Sequence, residues 1–205
     1  MTYHRPADRY TKKAKAEGYA ARSVYKLEEI DRRAKLFRAG MTVLDLGAAP
    51  GSWTQFVSQR IGAKGRVVAL DRVPLRADIG VAANVEFVLL DVFAGDARSL
   101  LPGRRFDLVL SDMAPKATGI RDTDLANSFE LASRAVEIAA VLLVPAGSLL
   151  VKAFHGDGFE ELRAAMRRHF GSVRILKPEA SRRESSEVYL LAEGRLPDAR
   201  PDPPA

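Results

Sequence analysis

The sequence contains no cysteine. Disulfides, thiolate metal sites, iron–sulfur clusters and a cysteine nucleophile are therefore excluded. Histidine is scarce, with His4, His155 and His169 as its three copies, so a histidine-rich metal centre is not expected. No apolar run approaches the roughly 18 residues of a membrane span. The start, Met1-Thr2-Tyr3-His4-Arg5, lacks the apolar segment of a secretory signal. The expectation is a cytoplasmic protein without metal or membrane association, although the basic, alanine-rich start is also compatible with an organellar presequence.

What is present suits one globular domain: 205 residues, 47% of them hydrophobic and 28% charged. The net charge of +6 is unevenly placed. Residues 1–40 hold 11 Lys/Arg against 5 Asp/Glu, which leaves 21 of each in the other 165 residues. A neutral body with a basic start points to an anionic partner, nucleic acid being the commonest, with a solvated basic tail as the bland alternative.

Residues 1–20 read as a basic arm, flexible or briefly helical. From Arg22 to Phe37, the residues Val24, Leu27, Ile30 and Ala34 recur at helical spacing, with Gly40 as the expected stop. Strands are expected at Met41–Leu46, Gly65–Leu70, Val85–Leu90, Phe106–Ser111 and Gly147–Lys152. Helical patterns are clearest at Asp124–Val144 and Asp157–Phe170. Near-continuous apolar strands alternating with helices predict an α/β fold, with a mostly parallel sheet covered on both faces. Val173–Leu176 and Glu187–Ala192 would close it as an antiparallel pair. The division expected is an arm over 1–20, one domain over 21–194 and a proline-rich, disordered tail over 195–205.

The sharpest local signal is Asp45-Leu46-Gly47-Ala48-Ala49-Pro50-Gly51-Ser52-Trp53, at the carboxyl end of the first strand and opening a helix. Ligands of open parallel sheets bind at this edge. Gly47 and Gly51 would let backbone approach a ligand, although a generic glycine turn is the alternative. The loop is neither the dinucleotide G-x-G-x-x-G, because Ala49 holds its third position, nor a nucleoside triphosphate loop. Asp71, Asp91 and Asp112 then end the second, third and fourth strands. Such carboxylates can accept from ribose hydroxyls, meet an adenine amine and face a cationic methionine end, respectively. Singly each is more often a turn residue; together on one rim, without a pyrophosphate pattern, they favour S-adenosylmethionine over NAD.

Gly47–Trp53 (GAAPGSW), Ser111–Pro115 (SDMAP), Val151–Phe154 (VKAF), Arg183–Tyr189 (RESSEVY) and the upstream AARSVYKLEEI resemble the FtsJ/RrmJ ribosomal RNA 2′-O-methyltransferases. The similarity runs in order from about Tyr10 to Glu193. It implies a Rossmann-like methyltransferase fold with a seven-stranded, mostly parallel sheet and an antiparallel last strand. It also implies a Lys-Asp-Lys-Glu tetrad at Lys26, Asp112, Lys152 and Glu187, and S-adenosylmethionine contacts at Gly51, Trp53, Asp71, Asp91 and Asp112. The implied substrate is a uridine ribose in the large-subunit rRNA A-loop, within an assembled particle, while the short arm and single core point to a monomer. Ser52 departs from a frequent family glycine, and His155 from a frequent glutamine.

A ribose 2′-hydroxyl is a weak nucleophile, so an enzyme must align it and accept its proton. Lys152 is preferred as that acceptor, with Asp112 and Glu187 orienting it and Lys26 placing the hydroxyl or a phosphate. Two carboxylates beside Lys152 would, however, stabilise its charged form and oppose that role, so a purely positioning Lys152 stays open. Without the resemblance, Lys26 reads as a solvated helix lysine, Glu187 as a strand-start residue and Lys152 as a strand end reaching solvent. Trp53 reads as packing the loop in preference to stacking a base. Missing cysteine argues against pyrimidine carbon-5 methylation, and SDMAP is not the Asn/Asp-Pro-Pro-aromatic loop of amine methylation. A small-molecule methyltransferase would leave the basic start unexplained. A transfer RNA 2′-O-methyltransferase and a silent RNA-binding assembly factor remain the alternatives.

Overall fold

The computed structural model describes residues 9–80, 82–181 and 185–197. Its elements run α1 (Arg9–Ala16), α2 (Val24–Ala34), β1 (Thr42–Leu46), α3 (Ser52–Ile61), β2 (Arg66–Asp71), β3 (Val85–Leu89) and α4 (Ala97–Leu100). They continue β4 (Phe106–Ser111), α5 (Arg121–Leu142), β5 (Leu143–Phe154), α6 (Phe159–His169), β6 (Phe170–Leu176) and β7 (Glu187–Arg195).

All seven strands form one sheet in the order β3-β2-β1-β4-β5-β7-β6. The first five pair in parallel, and β7 runs antiparallel between β5 and β6. Because strand side chains alternate, the sheet feeds two cores. Leu44, Leu46, Val68, Leu70, Val109 and Val151 pack under α4, α5 and α6. Val43, Val67, Leu108, Leu110, Leu150 and Tyr189 pack under α1, α2 and α3. Burial on both faces explains why the strands read as apolar runs. Chain order reverses between β1 and β4, which opens a crevice at their carboxyl ends.

Several boundaries differ from the expectations for local reasons. Helix α2 stops at Ala34 rather than near Gly40, because Lys35 turns left-handed (φ 52°) and returns its N–H to the Asp31 carbonyl at 2.7 Å. Strand β5 starts at Leu143, which pairs with Phe106 ahead of an irregularity in the ladder; Ala146, at φ 63°, lies within it. The basic arm includes α1, which docks through buried Ala14 and the Tyr10–Tyr25 ring pair, 5.6 Å between centroids. Strand β7 continues to Arg195, opposite Phe170, and the Leu196 N–H reaches the His169 carbonyl at 2.8 Å. The arm before residue 9, the tail beyond residue 197, and Arg183 and Glu184 lie outside the described residues.

Candidate active site

The loop after β1 is tied to β2 before any ligand is considered. The N–H groups of Gly47 and Ala48 both reach the Leu70 carbonyl, at 2.9 and 3.2 Å. Asp71, closing β2, accepts from Ala49 N at 2.9 Å and from Val73 N at 2.9 Å. Each carboxylate oxygen can accept more than one donor, so Asp71 keeps capacity for a ligand hydroxyl. Asp91, two residues beyond β3, accepts from Phe93 N through Oδ1 at 3.0 Å. Gly47 has φ 74°, and a Cβ there would strike Met113.

These strand ends border a cleft of about 500 Å³. Asp71, Asp91 and Asp112 all line it, with Leu90, Phe93 and Leu131 among the apolar walls. Three carboxylates spaced along a partly apolar slot suit a ligand with hydroxyls, a planar base and a cationic end. Gly51 and Trp53, expected to contact the cofactor, are not in its lining. Gly51 is required instead by its backbone, at φ 114°, and by Ile79, which a Cβ would overlap. Trp53 is buried and donates Nε1–H to the Ser23 carbonyl at 3.0 Å. It packs the loop against α2 and is not exposed to stack a base.

The departure at Ser52 has a local partner. Its hydroxyl lies 3.1 Å from that of Ser23, the residue preceding α2. With the Trp53 bond, this fastens the start of α3 to the start of α2.

Asp112 marks one end of the cleft, and the other tetrad candidates gather beyond it. Lys152, on β5, donates to the Asp112 main-chain carbonyl at 2.7 Å and stands 3.3 Å from its Oδ1. Lys26, on α2, donates to Glu187 Oε1 at 2.6 Å, and Ser181 Oγ donates to the same oxygen at 2.9 Å. The four therefore form two ion pairs. Glu187 is engaged by Lys26 and not by Lys152, which it was expected to orient. The physical reason is register: Glu187 lies opposite Phe154, and Tyr189 lies opposite Lys152.

Tyr189 occupies the space between the pairs. Its hydroxyl donates to Asp112 Oδ1 at 2.6 Å. Its ring lies 5.7 Å from that of Trp53, with the Lys26 ammonium 5.9 Å from its centroid. Burial, then the charges of Asp112 and Glu187, push the phenol well above its ordinary range, so it stays a neutral donor. Within RESSEVY, Tyr189 carries no motif signal that assigns it a role. An aromatic in an apolar strand reads as core, and its period-two alignment with Glu187 is the one available signal.

A second buried acid, Asp45 on β1, lies behind the loop. Burial raises its carboxyl to about 7 despite a 2.7 Å bond from Thr54 Oγ1, with Asp112 and Asp71 adding smaller upward contributions.

The sheet order, the cleft at the switch point and the lysine–carboxylate pairs beside it define a Rossmann-like methyltransferase. Residues 19–195 match the model of the FtsJ-like methyltransferase family, and the chain belongs to that family. It is 48% identical over 191 residues to the ribosomal RNA large subunit methyltransferase E of Legionella pneumophila (strain Corby), covering 91% of each chain. The protein of that name in Bdellovibrio bacteriovorus is 45% identical over 194 residues, covering 93% of this chain and 97% of the relative. A Plasmodium falciparum structure described as a ribosomal RNA methyltransferase shares the fold, with TM-score 0.74 and 24% identity over 87% of this chain and 99% of that one. Aeropyrum pernix fibrillarin, solved with natively bound S-adenosyl-L-methionine, superposes with TM-score 0.61 at 18% identity, covering 83% and 76%.

Proposed function

We propose that the protein transfers a methyl group from S-adenosylmethionine to a ribose 2′-hydroxyl of large-subunit ribosomal RNA, at a uridine of the A-loop in an assembled particle. The observation that carries the reading is Lys152, buried and held on Asp112, which lines the cleft. The names of the curated relatives support the RNA class, and the three-carboxylate cleft fits the donor. In this reading Asp91 faces the adenine amine, Asp71 the ribose and Asp112 the methionine end. When bound, S-adenosylmethionine supplies an electrophilic methyl whose sulfur keeps the bonding pair as the ribose oxygen takes the carbon.

The protein's own residues align the hydroxyl and manage its proton. Lys152 takes that proton on Nζ as the O–H bond breaks, then returns it to solvent. Lys26, held at Glu187, positions the hydroxyl or a neighbouring phosphate. Exposed Lys12 and Lys15 on α1 attract the RNA backbone on this side of the rim. Cytoplasmic location and a monomeric working form belong to the same reading. Among the described residues, no helix is long and apolar enough to cross a membrane.

The test is incorporation of labelled methyl into purified large subunits and transfer RNA, followed by mass-spectrometric mapping of the ribose. Transfer to a single large-subunit uridine is the expected result. Exclusive transfer to tRNA would move the substrate to the other RNA class, and RNA binding without incorporation would reject the enzymatic reading. Lys152→Arg should abolish turnover, because arginine stays protonated.

A further inference from the structure

The two-pair arrangement leaves a chemical difficulty that the fold itself addresses. A carboxylate at contact distance favours the ammonium form of a lysine, and an ammonium cannot accept a proton. Among the described residues, the titratable groups linked to Lys152 through contacts are Asp112 after β4, Tyr189 and Glu187 on β7, and Lys26 on α2. Glu187 is drawn to Lys26 at 2.6 Å. Asp112 is the carboxylate in contact with Lys152, and its Oδ1 is the atom that also accepts the Tyr189 hydroxyl.

The distances indicate how the oxygen is shared. Tyr189 takes the short contact, 2.6 Å, while Lys152 stands at 3.3 Å from the same oxygen. The good hydrogen bond of Lys152, at 2.7 Å, goes to the neutral main-chain carbonyl of Asp112. A strong donor on a carboxylate oxygen draws charge toward itself and weakens that oxygen's attraction for a second donor. A main-chain carbonyl, in turn, orients an ammonium with less electrostatic stabilisation than a carboxylate gives.

We propose that Tyr189 is a positioning residue for methyl transfer: its hydroxyl occupies Asp112 Oδ1, keeps Lys152 from a full ion pair there, and so leaves the Lys152 amine available to accept the substrate proton. The ring packs on Trp53 and its centroid lies 5.9 Å from the Lys26 ammonium, which is itself paired with Glu187. The inference rests on Lys152 acting as the base.

The experiment is a pH profile of single-turnover methyl transfer, at saturating S-adenosylmethionine and large subunits, for wild type and Tyr189→Phe. Phenylalanine keeps the ring packing and deletes the donor. With Oδ1 released, Lys152 closes on Asp112, and the rising limb of the profile moves up by about one pH unit, equivalent to about tenfold less rate on that limb. The rate recovers at high pH, and the KM for S-adenosylmethionine stays within about threefold, a factor worth under 1 kcal/mol. A uniform loss at every pH, or a limb that stays in place or moves down, overturns the role. If Tyr189→Phe fails to fold, 3-fluorotyrosine at position 189 supplies a more acidic donor and should move the limb downward; no movement overturns the proposal. Lys152→Arg is run in parallel. Inactive Lys152→Arg with an unmoved Tyr189→Phe limb rejects the tyrosine role alone, whereas active Lys152→Arg rejects the base and the tyrosine role together.

Discussion

Lys26 on α2 and Glu187 at the head of β7 lie 161 residues apart in sequence and meet at 2.6 Å. Their side chains are only 14% and 12% exposed, so neither charge can be released to water when its partner is removed. Each single truncation, Lys26→Ala or Glu187→Ala, should therefore cost about 1–3 kcal/mol of stability, with the double variant recovering part of the loss. Urea denaturation of all four proteins measures the coupling. Additive losses would mean that the pair is solvated in solution.

Stability should fall with rising pH through Asp45. Its carboxyl titrates near 7 when folded, raised chiefly by burial. The unfolded chain releases this proton near pH 3.9, so between those values the folded state holds a proton that the unfolded state does not. The associated stability is fully present below the unfolded value, is lost as pH rises toward 7, and changes no further above it. Asp45→Asn keeps the neutral form at all pH values. At pH 8 it should exceed wild type by roughly 1–4 kcal/mol, an advantage that shrinks toward zero near pH 4. Chemical denaturation of the ligand-free proteins at both pH values checks this, and a constant difference would contradict it.

Arg134 on α5 reaches across to the segment after Asp91. Its Nε donates to the Val92 carbonyl at 2.8 Å, and Nη2 donates to that of Gly95. Arg134→Ala should loosen the wall that carries Asp91 and Phe93. The expected result is affinity for S-adenosylmethionine weakened about 3- to 30-fold, or about 0.7–2 kcal/mol, because only part of the lost wall contacts is felt at the ligand, with little change in rate at saturation. Calorimetric titration with the cofactor, paired with saturated turnover, separates the two effects. A falling rate with unchanged affinity would assign Arg134 elsewhere.

Gly51→Ala should act on folding before it acts on the ligand. The residue sits at φ 114° and ψ 5°, and a methyl there would overlap Ile79. The combined backbone and packing cost is about 2–4 kcal/mol. Thermal melts without cofactor should show the full loss. An unchanged melting temperature with weakened cofactor binding would return Gly51 to the ligand site.

Much of the fold is legible because its signals are local. Strand β4 lies at Phe106–Ser111, as its apolar run bounded by polar residues predicts; β2 is shifted by one residue at both ends, and β3 stops one residue early. The helical spacing of Val24, Leu27 and Ile30 marks α2, whose buried face they form. The four-residue helix α4 is too short to carry a period, and Asp96, which caps it, reads as one more loop acid. Among the site residues, Asp71, Asp91 and Asp112 reach the cleft because each lies at or just past the carboxyl end of a parallel strand. Gly51 and Trp53 belong to the same loop but face packing partners, a distinction of direction that spacing cannot express.

The partner of Lys26 was a different kind of question. By itself the sequence determined the parallel sheet, the loop after β1 and the acid-bearing rim, since periodicity and turn chemistry act over a few neighbouring residues; the four tetrad candidates came from its family resemblance. Only the tertiary structure decided that Glu187 serves Lys26, that Asp112 serves Lys152, and that the Tyr189 hydroxyl shares Asp112. Those pairings depend on β7 entering antiparallel between β5 and β6, which sets Tyr189 opposite Lys152 and Glu187 opposite Phe154. Such a register is set by the packing of the whole sheet, and no local stretch of residues encodes it.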